Sequence, residues 1–141
     1  MKRVSRKFWF SPKEKVFFKQ SGIACLYLFG SQAAGAAGPM SDFDFGILME
    51  GYKPIPRKKR NALYDGLLEI FESKIKRLCN IDIVFLREAP LQLQFHAISD
   101  GKVIFESNAR ARADYHEKII EAYADFLPLQ SIFENATLAR I

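Results

Sequence analysis

Cysteine is scarce in this chain: Cys25 and Cys79 are the two among 141 residues, and neither stands in a CxxC pair. That excludes a zinc cluster or a disulfide framework, and both are expected as buried thiols of a reducing cytoplasm. Long apolar runs are missing too. None approaches the roughly 20 residues that cross a membrane. The basic start (Lys2, Arg3, Arg6, Lys7) is followed only by Phe8-Trp9-Phe10, too short for the apolar stretch of a signal peptide. Neither GxxxxGKS/T nor GxGxxG occurs, so a P-loop and a dinucleotide fingerprint are both excluded. There is no acidic excess either. With 21 Lys and Arg against 16 Asp and Glu the net charge is +5, which favours an anionic partner: a nucleotide, a nucleic acid or an acidic protein surface. The basic clusters, at 2–7, at Arg57-Lys58-Lys59-Arg60, at 74–77 and at Arg110 and Arg112, read first as solvated helix faces.

What is present is an apolar fraction of 49% and thirteen Phe, enough for an aromatic core in one domain spanning 1–141. Ser11-Pro12-Lys13-Glu14 is a helix start: a capping Ser, Pro at the first helical position, and Glu to close a capping box. This helix is expected to run to about Gln20 and stop at Gly22. A buried strand follows over 23–29, then a tight turn with a short helix start over 31–37 that Gly38-Pro39 breaks. A second strand is expected over 43–49 and a long amphipathic helix from 57 to about 79, with Leu63, Leu67, Ile70, Phe71, Ile75 and Leu78 at helical spacing. Then come a strand at 81–86, a short helix opened by Pro90, a turn at Asp100-Gly101, a short strand at 102–106, and a last helix over 108–126 ending before Pro128. Residues 1–10 form a basic, aromatic N-terminal segment and 128–141 a tail. Strands alternating with helices predict an α/β (α+β) domain, a small mixed sheet with helices packed mainly on one face.

The chemistry concentrates in Gly30-Ser31, a spacer of ten residues, and Asp42-Phe43-Asp44. The Gly-Ser turn ends one apolar run and the two carboxylates open the next. Two residues apart on a strand, Asp42 and Asp44 point to one face, where like charges repel. A divalent cation relieves that repulsion, and hard oxygen ligands suit Mg²⁺ carrying a nucleotide's phosphates. Asp82 is the third carboxylate, set in the apolar strand Ile81-Asp82-Ile83-Val84-Phe85, where a charge needs a partner, a metal or an edge. If its strand lies beside that of Asp42 and Asp44, three carboxylates converge, as a two-metal phosphoryl-transfer site requires. Gly30 lets a phosphate approach the backbone without a Cβ in the way. Ser31 offers its hydroxyl and N–H at a helix start.

This pattern resembles the nucleotidyltransferase superfamily. Together with the run from Asn80 to Pro90 and Asp100-Gly-Lys-Val-Ile-Phe, it is similar to the minimal nucleotidyltransferase (MNT) family over about residues 23 to 116. The resemblance implies a fold like the catalytic core of DNA polymerase β. It implies transfer of AMP from ATP, with two Mg²⁺ ions, to a hydroxyl (a tyrosine) of a HEPN-domain ribonuclease toxin, for which the MNT protein is the antitoxin. A hetero-oligomer with that toxin follows, with no membrane and no nucleic-acid partner. The residues carried over are Gly30 and Ser31 for the nucleotide, and Asp42, Asp44 and Asp82 as catalytic groups and metal ligands. Asp42 and Asp44 go to both ions, and Asp82 to the one on the nucleophile side. Family members often read Gly-Ser-x-Ala-Arg-Gly, whereas here Gln32-Ala33-Ala34-Gly35 follows Ser31. The missing Arg removes a phosphate clamp, and Arg57–Arg60 or Arg87 are the basic groups that could substitute.

Two other functions stand beside this one. An antitoxin could neutralise its partner by occlusion alone, using apolar surface at Phe8-Trp9-Phe10 and around Ile132 and Phe133. A transferase acting on a small molecule or on RNA usually needs a second helical domain to hold the acceptor, which the chain as read here lacks. His96 and His116 each stand alone on a helix and read as surface or packing residues.

Overall fold

The structure, a computed structural model, describes residues 8–30, 42–75 and 79–139. Helix α1 (Pro12–Gln20) starts as its sequence dictates. The Ser11 hydroxyl accepts from the Glu14 N–H at 3.2 Å, and the Glu14 carboxylate accepts from the Ser11 N–H at 2.8 Å. Gly22, at φ 84°, turns the chain into β1 (Ile23–Phe29). Strand β2 (Phe43–Met49) runs back antiparallel to β1. Helix α2 (Arg57–Lys74) then crosses over to β3 (Ile81–Phe85), which lies parallel to β2. A 3-10 turn (Leu86–Glu88), α3 (Leu91–Asp100), β4 (Lys102–Glu106) and α4 (Ala109–Ala139) complete the chain. The sheet order is β3-β2-β1-β4.

The expected mixed sheet with helices is what forms, but the helices are divided between its two faces. Alternate residues of β2 explain why. Phe43, Phe45 and Ile47 join a core with Phe18 of α1 and Leu63, Leu67 and Phe71 of α2, whereas Leu48 joins one with Ala97 and Ile98 of α3 and Tyr115 and Ile119 of α4. Central β1 is therefore buried along its whole length. The rings of Phe45 and Phe71 stack at 3.9 Å. Phe8 packs edge-on against Phe43 and Phe45, and Phe10 against Phe18. So Phe8 and Phe10 of the N-terminal segment are core residues, and Trp9 between them is 70% exposed. Cys25 is buried, and burial pushes its thiol up to about 12. Cys79 is half-buried.

Two helix ends differ from the sequence expectation. Helix α2 stops at Lys74 rather than near 79, because Ile75 is extended (φ −104°, ψ 117°) and packs its branched side chain against the α1/α2 core; Leu78 lies outside the described residues. Helix α4 does not end before Pro128 but runs through it to Ala139. Proline's φ is helical, and what it removes is one N–H and the free space of the carbonyl four residues back. Ala124, Asp125, Leu127 and Pro128 are all exposed, so water can take that carbonyl. The turn and short helix expected over 31–37, and Gly38-Pro39, also lie outside the described residues. Among the described residues no helix is long and apolar enough to cross a membrane.

Candidate active site

Three chain segments meet where β1 ends and β2 and β3 begin. Phe29, the last residue of β1, is paired with Asp44 of β2, and Asp44 is paired in turn with Asp82 of β3. The parallel β2–β3 register thus sets the two carboxylates side by side on the face that α3 and α4 cover. The same alternation puts Phe43, Ile81 and Ile83 on the other face, against the α1/α2 core. Asp44 is half-buried and Asp82 exposed. Asp42 lies just ahead of β2 and is exposed. Burial is the main reason that Asp44 holds its proton above the ordinary carboxylate range. The neighbouring Asp82, which also hydrogen-bonds to it, and Asp42 push the same way, while His96 opposes them.

Gly30 completes the corner. Its φ is 76°, and a Cβ built on it would run into the Asp44 carboxylate oxygen. Glycine is required here both by the left-handed backbone and by the closeness of Asp44. The structure therefore brings Gly30, Asp44 and Asp82 together with Asp42 in electrostatic reach; Ser31 lies outside the described residues. Among the described residues no three acidic, imidazole or thiol groups are gathered tightly enough to form a finished metal cage. What exists is a pair of hard oxygen donors with a third at the strand's start. Their mutual repulsion, which adds to burial in raising the proton affinity of Asp44, is the electrostatic condition that a divalent cation relieves.

Two of the basic groups that could substitute for the missing Arg, Arg60 and Arg87, are away from this corner. The Arg87 Nε donates to the carbonyl of Met49, the last residue of β2, and its guanidinium lies over the ring of Tyr52 at 4.3 Å. Arg60, in the first turns of α2, pairs with Glu88 at 3.1 Å. Both are at the opposite end of β2 from Asp44, five residues or about 16 Å away at ~3.3 Å per residue. A cavity of about 180 Å³ lies at that far end, lined by Met49, Tyr52, Ile55, Phe85 and Arg87. It is small for a ligand site, which usually takes ~300 Å³ or more, and it is remote from the carboxylates. We take the carboxylate corner as the site because the charges that need neutralising are there.

The histidines divide. His116 stands within hydrogen-bonding distance of the Tyr27 hydroxyl (2.6 Å), their rings stacked, and serves the core edge. His96 instead meets Phe29 edge to face, with ring centroids 6.4 Å apart, beside the carboxylate corner. Its spacing of four from Asp100, with which its Nδ1 pairs at 2.8 Å, was the available sequence signal for a built imidazole.

Comparison with known proteins agrees with this geometry. The sequence profile of the family described as "Polymerase beta, Nucleotidyltransferase" matches residues 13–110. No protein of curated function matches. Among solved structures, a chain of a toxin–antitoxin complex with AMP-PNP superposes with a TM-score of 0.63 at 20% identity, covering 90% of this chain and 99% of that one. A chain from the tri-AMPylated Shewanella oneidensis HEPN toxin in complex with MNT antitoxin superposes at 0.57 and 18% identity, covering 87% and 95%. A chain of the toxin–antitoxin MntA-HepT gives 0.55 at 18%, covering 87% and 96%. At such identities the superpositions speak for a shared fold, and the family match spans more than half of the sequence: the chain belongs to the polymerase beta nucleotidyltransferase family.

Proposed function

We propose that this chain transfers AMP from ATP to a hydroxyl, a tyrosine in the first instance, of a HEPN-type toxin protein for which it is the antitoxin. The observation that carries the reading is Asp44 facing Asp82 across the β2–β3 register, against the Gly30 turn. In the transfer, the acceptor oxygen bonds to the α-phosphorus of ATP. The bond from that phosphorus to the bridging oxygen breaks, and pyrophosphate leaves with the electron pair.

Asp44 and Asp82, with Asp42, would hold Mg²⁺, two ions in the full arrangement. The metal supplies charge neutralisation on the phosphates and a lowered pKa at the attacking hydroxyl. Asp82, the exposed member of the pair, is the group open to the acceptor and takes part in removing its proton. Asp44 would hold the metal as the carboxylate, so a cation and a proton compete for it. Gly30 keeps the corner open to phosphate, and Ser31 is proposed as a phosphate contact. A protein acceptor is supported by the three similar structures above, all toxin–antitoxin complexes and one of them AMPylated.

The experiment is intact-mass spectrometry of the cognate HEPN protein after incubation with this chain, ATP and Mg²⁺. AMP additions are expected, and Asp42→Asn/Asp44→Asn should abolish them while the complex still forms. If the double variant protects cells from the toxin as fully as the parent, neutralisation works by occlusion and the transfer reading fails as the antitoxin mechanism.

A further inference from the structure

Of the five tyrosines, four are set back into the fold. Tyr27 and Tyr115 are buried, with their hydroxyls engaged by His116 and Gln94. Tyr64 packs half-buried against the α1/α2 core, and Tyr123 stacks on Phe95 with ring centroids 3.9 Å apart. Tyr52, in the loop after β2, is 63% exposed.

The surroundings of Tyr52 are cationic. The Lys118 Nζ of α4 donates to its hydroxyl at 2.8 Å. The Arg87 guanidinium lies over its ring at 4.3 Å from the centroid, and the Lys118 ammonium at the same distance. Among the described residues neither of these cations pairs with a carboxylate, whereas Arg60, Lys74 and Arg112 each do. Two like charges held around one ring repel each other, and an anion at the hydroxyl relieves them. The phenolate is such an anion. The hydrogen bond from Lys118 above all, with the charges of Lys118 and Arg87, holds the Tyr52 phenol below the ordinary tyrosine range. An aryl phosphodiester is another such anion, open to charge-assisted hydrogen bonds from both side chains.

We propose that Tyr52 is itself an acceptor of AMP, modified by a second copy of this chain. This rests on the nucleotide-transfer reading of the carboxylate corner. The donor has to be another copy, because Tyr52 follows Met49 at the end of β2 opposite Asp44. In-line attack needs the acceptor oxygen within roughly 3–3.5 Å of the phosphorus. In the step, the Tyr52 phenol oxygen bonds to the α-phosphorus of ATP held by the other copy. The bond from that phosphorus to the bridging oxygen breaks, and pyrophosphate leaves with the electron pair. The phenolic proton leaves by way of Asp82 of the copy that holds the ATP. The phosphodiester formed stands beside Arg87 and Lys118 and ties the loop after β2 to α4.

The test mixes two variants of the purified chain, without the HEPN partner, with ATP and Mg²⁺. The acceptor is affinity-tagged Asp42→Asn/Asp44→Asn, which keeps Tyr52 and cannot transfer. The donor is Tyr52→Phe, which keeps the carboxylate corner. AMP is expected on Tyr52 of the recovered acceptor, located by peptide mass spectrometry, at an initial rate proportional to the donor concentration. The acceptor alone should gain nothing. Lys118→Gln in the acceptor is expected to slow its labelling several-fold. Transfer from the Tyr52→Phe donor to the cognate HEPN protein should keep the parent rate, which also shows that the variant is folded. If that donor labels the HEPN protein but leaves the acceptor bare, or labels it at a residue other than Tyr52, the proposal is overturned and the transfer reading stands. If the parent labels neither the HEPN protein nor the acceptor, the transfer reading falls and takes the proposal with it.

Discussion

Replacing Gly30 by alanine separates a backbone effect from a site effect, because the fold supplies its own control. Gly22 and Gly30 both have positive φ, at 84° and 76°. An alanine at either must hold a left-handed backbone, at roughly 1–2 kcal/mol. For a domain of this size each kcal/mol lowers the melting temperature by roughly 3–5 °C. The added methyl differs. At position 22 it would meet the Met49 Cε at 3.6 Å, an ordinary contact, whereas at position 30 it would collide with the Asp44 carboxylate. Asp44 would have to turn away, and overpacking of this sort adds roughly 1–3 kcal/mol. Gly22→Ala is therefore expected to lose about 1–2 kcal/mol in urea denaturation with transfer activity intact. Gly30→Ala should lose about 2–5 kcal/mol and, with the carboxylate displaced by an ångström or so, about 100-fold or more in activity. Asp44→Ala removes the obstructing oxygens, so in that background the excess cost of Gly30→Ala should vanish, a coupling readable in a double-mutant cycle. Equal losses at the two glycines, or an additive cycle, would refute the close Gly30–Asp44 approach on which the site rests.

Other expectations concern charge, burial and packing. Since Asp44 binds its proton more tightly when folded than its ordinary value of 3.8, the folded state disfavours its ionised form. The penalty is absent below pH 3.8 and grows as pH rises through the folded value. Asp44→Asn should flatten that fall in stability, measured by denaturation in EDTA at stepped pH, while abolishing transfer; a steeper fall would contradict the sign. Cys25, pushed up to about 12 by burial, should resist alkylation of the native protein at pH 8 while half-buried Cys79 reacts; peptide mapping after iodoacetamide distinguishes them. Phe71→Ala removes the ring stacked on Phe45 and should cost about 3–5 kcal/mol in urea denaturation.

Much of the fold was legible because its signals are local. The capping box at Ser11–Glu14 formed as written, and β1 and β2 occupy the runs that their apolar patterns mark. Where the reading missed, a local rule met a tertiary condition. Pro128 is a stop signal only where the freed carbonyl would be buried, and on α4 it is exposed. Helical spacing carried α2 on paper to about 79, but the core claims Ile75 in an extended conformation. The division of helices between both faces was latent in β1, whose residues are buried without alternation, the pattern of a strand covered on both sides.

The site divides along the same line. Asp44 and Asp82 could be found from sequence because a strand's period of two fixes which residues share a face, and one register assumption then pairs them. Which basic residues share that end of the sheet could not, since distance along the chain says little about which end of a strand a later helix reaches. β2 carries the chain away from Asp44, so Arg60 in the first turns of α2 and Arg87 just after β3 stand at the opposite end of the sheet. The chain returns to the carboxylate corner at the start of β3, where Asp82 stands, and again where α3 hands over to β4, whose Lys102 pairs with Leu28 near the end of β1.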